Sequence, residues 1–292
     1  MAAELQIACC KFSPGGNKNY IYMKVKNIFL RFYFSINFLI LIFLSASIVS
    51  KYRLLFARQE TGILIPNPFV FAQVKYDGVW DPYPDIWPEI MNFLEGTTSV
   101  EALPERKIIS AIDEKIFDYP VLWLFGRDDF RGFNVRERSF LRSYFDRGGI
   151  LFIDDSSGDN PDSTFRRKIM EEFAKIFPDK KWERIPESHA IFKSFYLMTK
   201  EGARTSGRVI RQDYLEGIAT GSRYVVVYSP NDLGGTWQKD RFGNYLQPCI
   251  PYQERQRHDS HKLMINFILY SLTGTYKSDA VHQPFIERKL GR

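Results

Sequence analysis

The chain has 292 residues, enough for one large α/β domain or two small ones, and 45% hydrophobic with 16% aromatic content supports a packed core. The formal charge of +6 suggests nucleic acid, but its placement excludes that partner: residues 1 to 57 carry seven Lys or Arg against one acid, Glu4, leaving 33 bases facing 33 acids in the rest. A neutral body has no global field for a phosphate backbone.

The N-terminal fifth reads as an export or anchoring device. Residues 32 to 49 form one uncharged apolar block of 18 residues, interrupted only by Asn37. Lys24, Lys26 and Arg31 precede it, and Lys51, Arg53 and Arg58 follow. The length is short for a spanning helix and equally suits a secretory signal, with Ser45-Ala46-Ser47 as small residues for cleavage. Met23 offers a second start with a basic prologue. The excess of bases ahead of the block predicts a body outside the cytoplasm. The expected organisation is a tail over 1–31, a signal peptide or hydrophobic anchor helix over 32–50, a linker over 51–68, one α/β domain over 69–276 and a tail over 277–292.

Along the body, residues 69–75 alternate as a strand. A loop rich in Pro and Trp follows, and a short helix is expected over 86–94. Residues 107–110 suit a strand and 113–117 a short helix. The run 120–125 is apolar throughout, as strands buried on both faces are. Residues 135–146 repeat apolar side chains at helical spacing, with Gly148-Gly149 as the stop. The strand 150–153 ends abruptly in Asp154-Asp155, and a helix is predicted over 165–177. An outer strand at 182–185, a pair at 215–219 and 224–228, a polar loop over 229–256 and a last helix over 261–272 complete the reading. Strands alternating with helices predict a three-layer α/β sandwich with a mostly parallel, flavodoxin-like sheet. No dinucleotide or phosphate-loop glycine motif is present.

Several blocks in order carry a resemblance: VKYDGVWDPYPDIWPEIMNFL (74–94), FDYPVLWLFGRDDF (117–130), GGILFIDDSSG (148–158), FRRKIMEEFAKIFP (165–178), SHAIFKSF (188–195), VVVYSPNDLGGTW (225–237) and INFILYSLTG (265–274). Over about 200 residues the chain resembles the bacterial domain of unknown function 4159. That resemblance implies the class I glutamine amidotransferase-like fold and an exported or membrane-attached body. It implies no activity. Amidotransferases carry a nucleophilic Cys on the elbow after a central strand. Here the strands end in Gly126-Arg127-Asp128 and Asp154-Asp155, so glutamine hydrolysis by that route lacks its nucleophile.

The candidate site follows from the crest of such a sheet, where parallel strands end and ligands bind. Asp154 and Asp155 are the candidate catalytic carboxylates, against a structural role in capping the next helix. His189 is the candidate base, against a role in fastening a loop. Asp81, Tyr83 and Trp87 form an aromatic and acidic loop suited to a sugar-like ligand. Asn231 and Asp232 follow a strand end, and Asx-turn chemistry explains them equally well. Arg166 is expected within salt-bridge reach of Asp154 or Asp155, or to bind an anion. Ser156 and Ser157 lack an evident base. His258 and His261 do not complete a metal site. Cys9, Cys10 and Cys249 follow no metal or disulfide spacing, and Cys249 is expected to be a buried thiol.

No cofactor and no metal are expected. Two functions compete. The first is a tethered or exported ligand-binding or interaction domain that touches a membrane through its N-terminal segment and takes a small-molecule, carbohydrate or protein partner. The second is a hydrolase acting on a carbohydrate or cell-envelope component.

Overall fold

The computed structural model describes residues 68–273 apart from Ser222. The apolar block at 32–49 and both tails lie outside the described residues. Among the described residues, no helix is long and apolar enough to cross a membrane.

Seven strands form one sheet in the order β2-β1-β3-β4-β7-β6-β5. They are β1 (Ala72–Lys75), β2 (Lys107–Ser110), β3 (Val121–Gly126), β4 (Ile150–Asp155), β5 (Glu183–Arg184), β6 (Glu216–Thr220) and β7 (Arg223–Ser229). The first five in spatial order pair in parallel. β6 pairs antiparallel with β7 and β5 with β6. The parallel part has the flavodoxin-like order, with the direction of winding reversing between β1 and β3.

β3 and β4 are buried at every residue, as their unbroken apolar runs require. Alternate side chains feed two separate cores. Trp123, Phe125 and Phe152 face α1 (Trp87–Thr97) and α5 (Gln253–Thr273). Leu124, Leu151 and Ile153 face α2 (Val135–Asp146) and α3 (Phe165–Ile176). A short helix, α4 (Lys200–Thr205), lies against α5.

Local chemistry sets the boundaries. Pro88 opens α1, where a missing N–H is harmless. Asn134 and Glu137 form a reciprocal capping box on α2. The turn at Gly126 admits no side chain, since a Cβ there would lie 2.0 Å from Tyr76 Oη and 2.4 Å from the Phe165 ring. The last helix begins eight residues earlier than its apolar spacing predicts, at Gln253. Its first turns bury polar residues, Gln256, Arg257 and Ser260, which a hydrophobic period cannot reveal. The segment expected as a polar loop from 229 is likewise buried through Trp237.

Candidate functional site

β3, β4 and β7 all end at one rim, where Asp154 registers with Ser229 and Asp155 with Gly126. Successive residues of a strand point to opposite faces. The Asp154-Asp155 pair is therefore split by the sheet, and the two carboxylates serve different environments.

Asp154 faces the α1–α5 side and is fully buried. Its Oδ1 accepts from the Leu233 amide at 2.8 Å and its Oδ2 from the Gly234 amide at 2.8 Å. Asp232 stands beside it with a positive φ of 58°, a conformation that Asp tolerates better than most side chains. Tyr83 Oη donates to Asp232 Oδ1 at 2.6 Å, and Arg208 Nε donates to Oδ2 at 2.5 Å. The Gly235 amide adds a third bond at 3.2 Å. Burial, then the Asp232 charge, pushes the Asp154 carboxyl up to about 8, against the pull of the two amides. Burial also raises Asp232, opposed by Tyr83 and Arg208. Burial and then Asp232 raise the Tyr83 phenol, which stays a proton donor.

Asp155 faces the α2–α3 side. Tyr228 Oη donates to Asp155 Oδ2 at 2.6 Å, the Ser157 amide to Oδ1 at 3.1 Å and Arg211 Nη1 to Oδ2 at 3.4 Å. Burial, then Asp155, lifts the Tyr228 phenol well above its ordinary range. Asn231 holds the strap that supplies both arginines. Its Oδ1 accepts from the amides of Arg211 and Gln212, and its Nδ2 donates to the carbonyls of Ser206 and Gln212. Gly207 crosses Asn231 at a φ of 121°, where a Cβ would meet the Asn231 carbonyl at 2.3 Å.

The other candidates scatter. Arg166 pairs with Glu216 at 2.6 Å rather than with Asp154 or Asp155. His189 lies at the opposite rim. Its Nδ1 accepts from the Ile191 amide at 3.3 Å, and its ring packs on Tyr224 and Tyr270. Tyr224 sits near the start of β7, roughly 16 Å along the strand from Ser229. Asp81 is clamped by Arg106 with two bonds of 2.6 Å. Trp87 is core, packed on Phe71 and Phe125. Of that aromatic loop, only Tyr83 reaches the crest network.

Arg208, Arg211 and Tyr228 belong to this network and were not singled out in the sequence. Arg208 and Arg211 share a strap three residues apart, a spacing with no signature of its own. Tyr228 ends a strand that reads as plain core.

The family described as Domain of unknown function (DUF4159) matches residues 70–272. The chain belongs to this family. No curated protein matches it. The match takes in every strand of the DUF4159 sheet and all of the crest. The Cys and Ser side chains singled out in the sequence are not poised as nucleophiles. The β3 turn presents Gly126-Arg127-Asp128. Cys249 is buried and burial pushes its thiol up to about 11, so it holds its proton at neutral pH. Ser157 shares a 2.6 Å bond with Ser163, and Ser156 Oγ donates to Asp154 at 3.4 Å. His261 stacks on Trp237 at 3.7 Å, and burial drives its imidazole down to about 3, while His258 is exposed. Among the described residues, no group of three or more His, Cys, Asp or Glu is placed to hold a metal ion.

Proposed function

We propose that this DUF4159 protein is an exported, membrane-tethered interaction domain whose crest is a sealed polar scaffold rather than a reaction site. One observation carries the reading. The crest carboxylates Asp154, Asp155 and Asp232 are each at most 1% exposed and fully engaged with amides, phenols and guanidiniums of the chain itself. A catalytic acid must touch its substrate. Here Arg208 and Arg211 are the parts of the network that reach water. The apolar block at 32–49 and its basic flanks support export and tethering.

Two measurements test this. A phosphatase reporter active only outside the cytoplasm, fused after Arg58 in the native host, should be active; activity confined to a cytoplasmic reporter overturns the location. The purified chain should release no reducing ends or amines from cell-envelope polymers. The rival hydrolase reading draws on Asp154, whose raised carboxyl resembles a general acid. Turnover that disappears in Asp154→Asn without a fall in melting temperature would establish that rival.

A further inference from the structure

Three carboxylates are sealed in the crest, Asp154, Asp155 and Asp232, and only two guanidiniums reach them. Arg208 Nε meets Asp232 at 2.5 Å, and Arg211 Nη1 meets Asp155 at 3.4 Å. Arg166 is paired with Glu216 instead. Arg208 also faces the exposed Asp159 at 3.8 Å, so it has no surplus charge to lend. With all three carboxylates ionised, the sealed groups would carry one net negative charge. An unpaired charge in a dry interior is relieved most readily by taking up a proton.

The excess falls on the α1–α5 side. Asp155 has a guanidinium on its own face, whereas Asp154 accepts only from the amides of Leu233 and Gly234 and from Ser156 Oγ. Those amides follow directly on Asp232, so the second carboxylate is held beside the first. The other titratable groups that face the pair supply no cation. Tyr83 donates to Asp232 as a neutral phenol from the loop after β1. The Cys249 thiol, pushed up by burial, keeps its proton. Arg257, beyond Cys249, is bound to the carbonyls of Thr236 and Gln247 and to Glu254. Ser229 offers an acceptor for a proton on Asp154. It registers with Asp154 on the neighbouring strand, and its Oγ is buried without a partner. The registered pair two residues earlier, Phe152 and Val227, shares the α1–α5 core, so the two-residue period puts Ser229 and Asp154 on that same face.

We propose that Asp154 and Asp232 hold one proton between them, and that its loss in alkaline medium loosens the loop 231–237 and the strap 206–212 above them. The inference rests on the sealed-scaffold reading of the crest. The loop carries Asp232 itself and gives its amides to Asp154. The strap is fastened to that loop. The Arg208 and Val209 amides donate to the carbonyls of Asp232 and Asn231, and the Asn231 side chain binds Ser206, Arg211 and Gln212. Bonds from Gly207 to Ser260 and from Gln256 to Gly207 hold its other end on α5. β4 and β7 are buried strands, so the strap is where water enters, beside Arg208 and Arg211. A carboxyl that is protonated in the closed crest and ionises in the open one favours opening as pH rises. Burial and then the Asp232 charge act in that direction on Asp154.

Hydrogen exchange of the full chain tests this. Wild type and Asp154→Asn are compared at matched pH, near ~6 and near ~9, so that the intrinsic exchange rate cancels. Between those values, wild-type protection over 206–212 and 231–237 should fall by about tenfold or more relative to the variant, while 121–126 stays level. A second readout needs no variant. The infrared spectrum of wild type with isotope-labelled aspartate should show a protonated carboxyl band at the lower pH that fades at the higher. Absence of that band, or a loss of protection equal in wild type and variant, overturns the shared proton. A fading band with unchanged protection overturns the loosening. Either failure leaves the scaffold reading standing. Turnover of a cell-envelope polymer that Asp154→Asn abolishes, with protection unchanged by pH, overturns both.

Discussion

Asp154 and Asp155 are neighbours in the chain and occupants of two unlike environments. The α1–α5 side of the crest places Asp154 next to a second buried carboxylate, Asp232, and meets that charge with amides, one phenol and one guanidinium. The α2–α3 side holds Asp155 alone, against Tyr228 and the partly solvated Arg211. The difference teaches how a fold can retain acidic residues at its ligand rim without a ligand. On one side the carboxylates organise the 229–237 loop by accepting its amides. On the other, a single carboxylate ties a strand end to a strap.

The largest expected loss breaks the Asp154 side. Asp232→Ala removes the partner of Tyr83 and leaves Arg208 with only the exposed Asp159 at 3.8 Å; it should cost ~3–5 kcal/mol in urea unfolding. A loss below ~1 kcal/mol would mean that Asp232 is dispensable there. Asp154→Asn should cost ~1–3 kcal/mol, because an amide turns a donor toward an N–H that needs an acceptor.

The same variant sharpens the comparison through pH. A carboxyl raised in the folded state, here to about 8, contributes stability that is full below the unfolded value near ~4 and is lost as pH rises toward 8. His261, held down near 3, acts oppositely: its contribution is present above ~6.5 and is lost as pH falls. The wild-type profile mixes both. The difference between wild type and Asp154→Asn cancels the His261 part, reports Asp154 together with its neighbour Asp232, and should shrink as pH rises from 4 to 8. A constant difference across that range would show that Asp154 ionises normally.

Asp155→Asn should cost less, about 1 kcal/mol, since Arg211 can turn to water. Equal losses at 154 and 155 would erase the distinction between the two sides. Arg166→Ala should cost under ~1 kcal/mol, because the Glu216 pair is partly solvated. Thermal melts resolve that from the larger effects.

The sheet was legible wherever packing is apolar on both faces. Residues 120–125 and 150–153 read as central strands and are so, because a strand buried on both sides tolerates no other composition. The strands at 215–219 and 224–228 were placed to within a residue or so. The start of α5 was not legible, because Gln256 and Arg257 are buried to bond the carbonyls of Gly207 and Thr236, contacts made far along the chain. The crest was legible as a place. Its membership was not: the apolar run ends the strand at 153, whereas β4 continues to Asp155 and its two-residue period sends the two carboxylates to opposite faces. His189 fell at the other rim because a histidine before a turn carries no mark of which end of the sheet it joins.

The bonds that close the crest have a kinetic consequence. Those from Leu233 and Gly234 to Asp154 span 79 and 80 residues, and the bond from Tyr83 to Asp232 spans 149. Loops that long lose much of their freedom before any contact compensates them. β7 must also enter between β4 and β6 before its following loop can meet Asp154. The crest is thus expected to lock after the transition state for folding, so substitutions there would speed unfolding while leaving the folding rate nearly unchanged. A chevron in which Asp154→Asn slowed folding instead would place this rim in the nucleus. Locking last, this polar rim acts as a latch on lifetime rather than a guide to assembly.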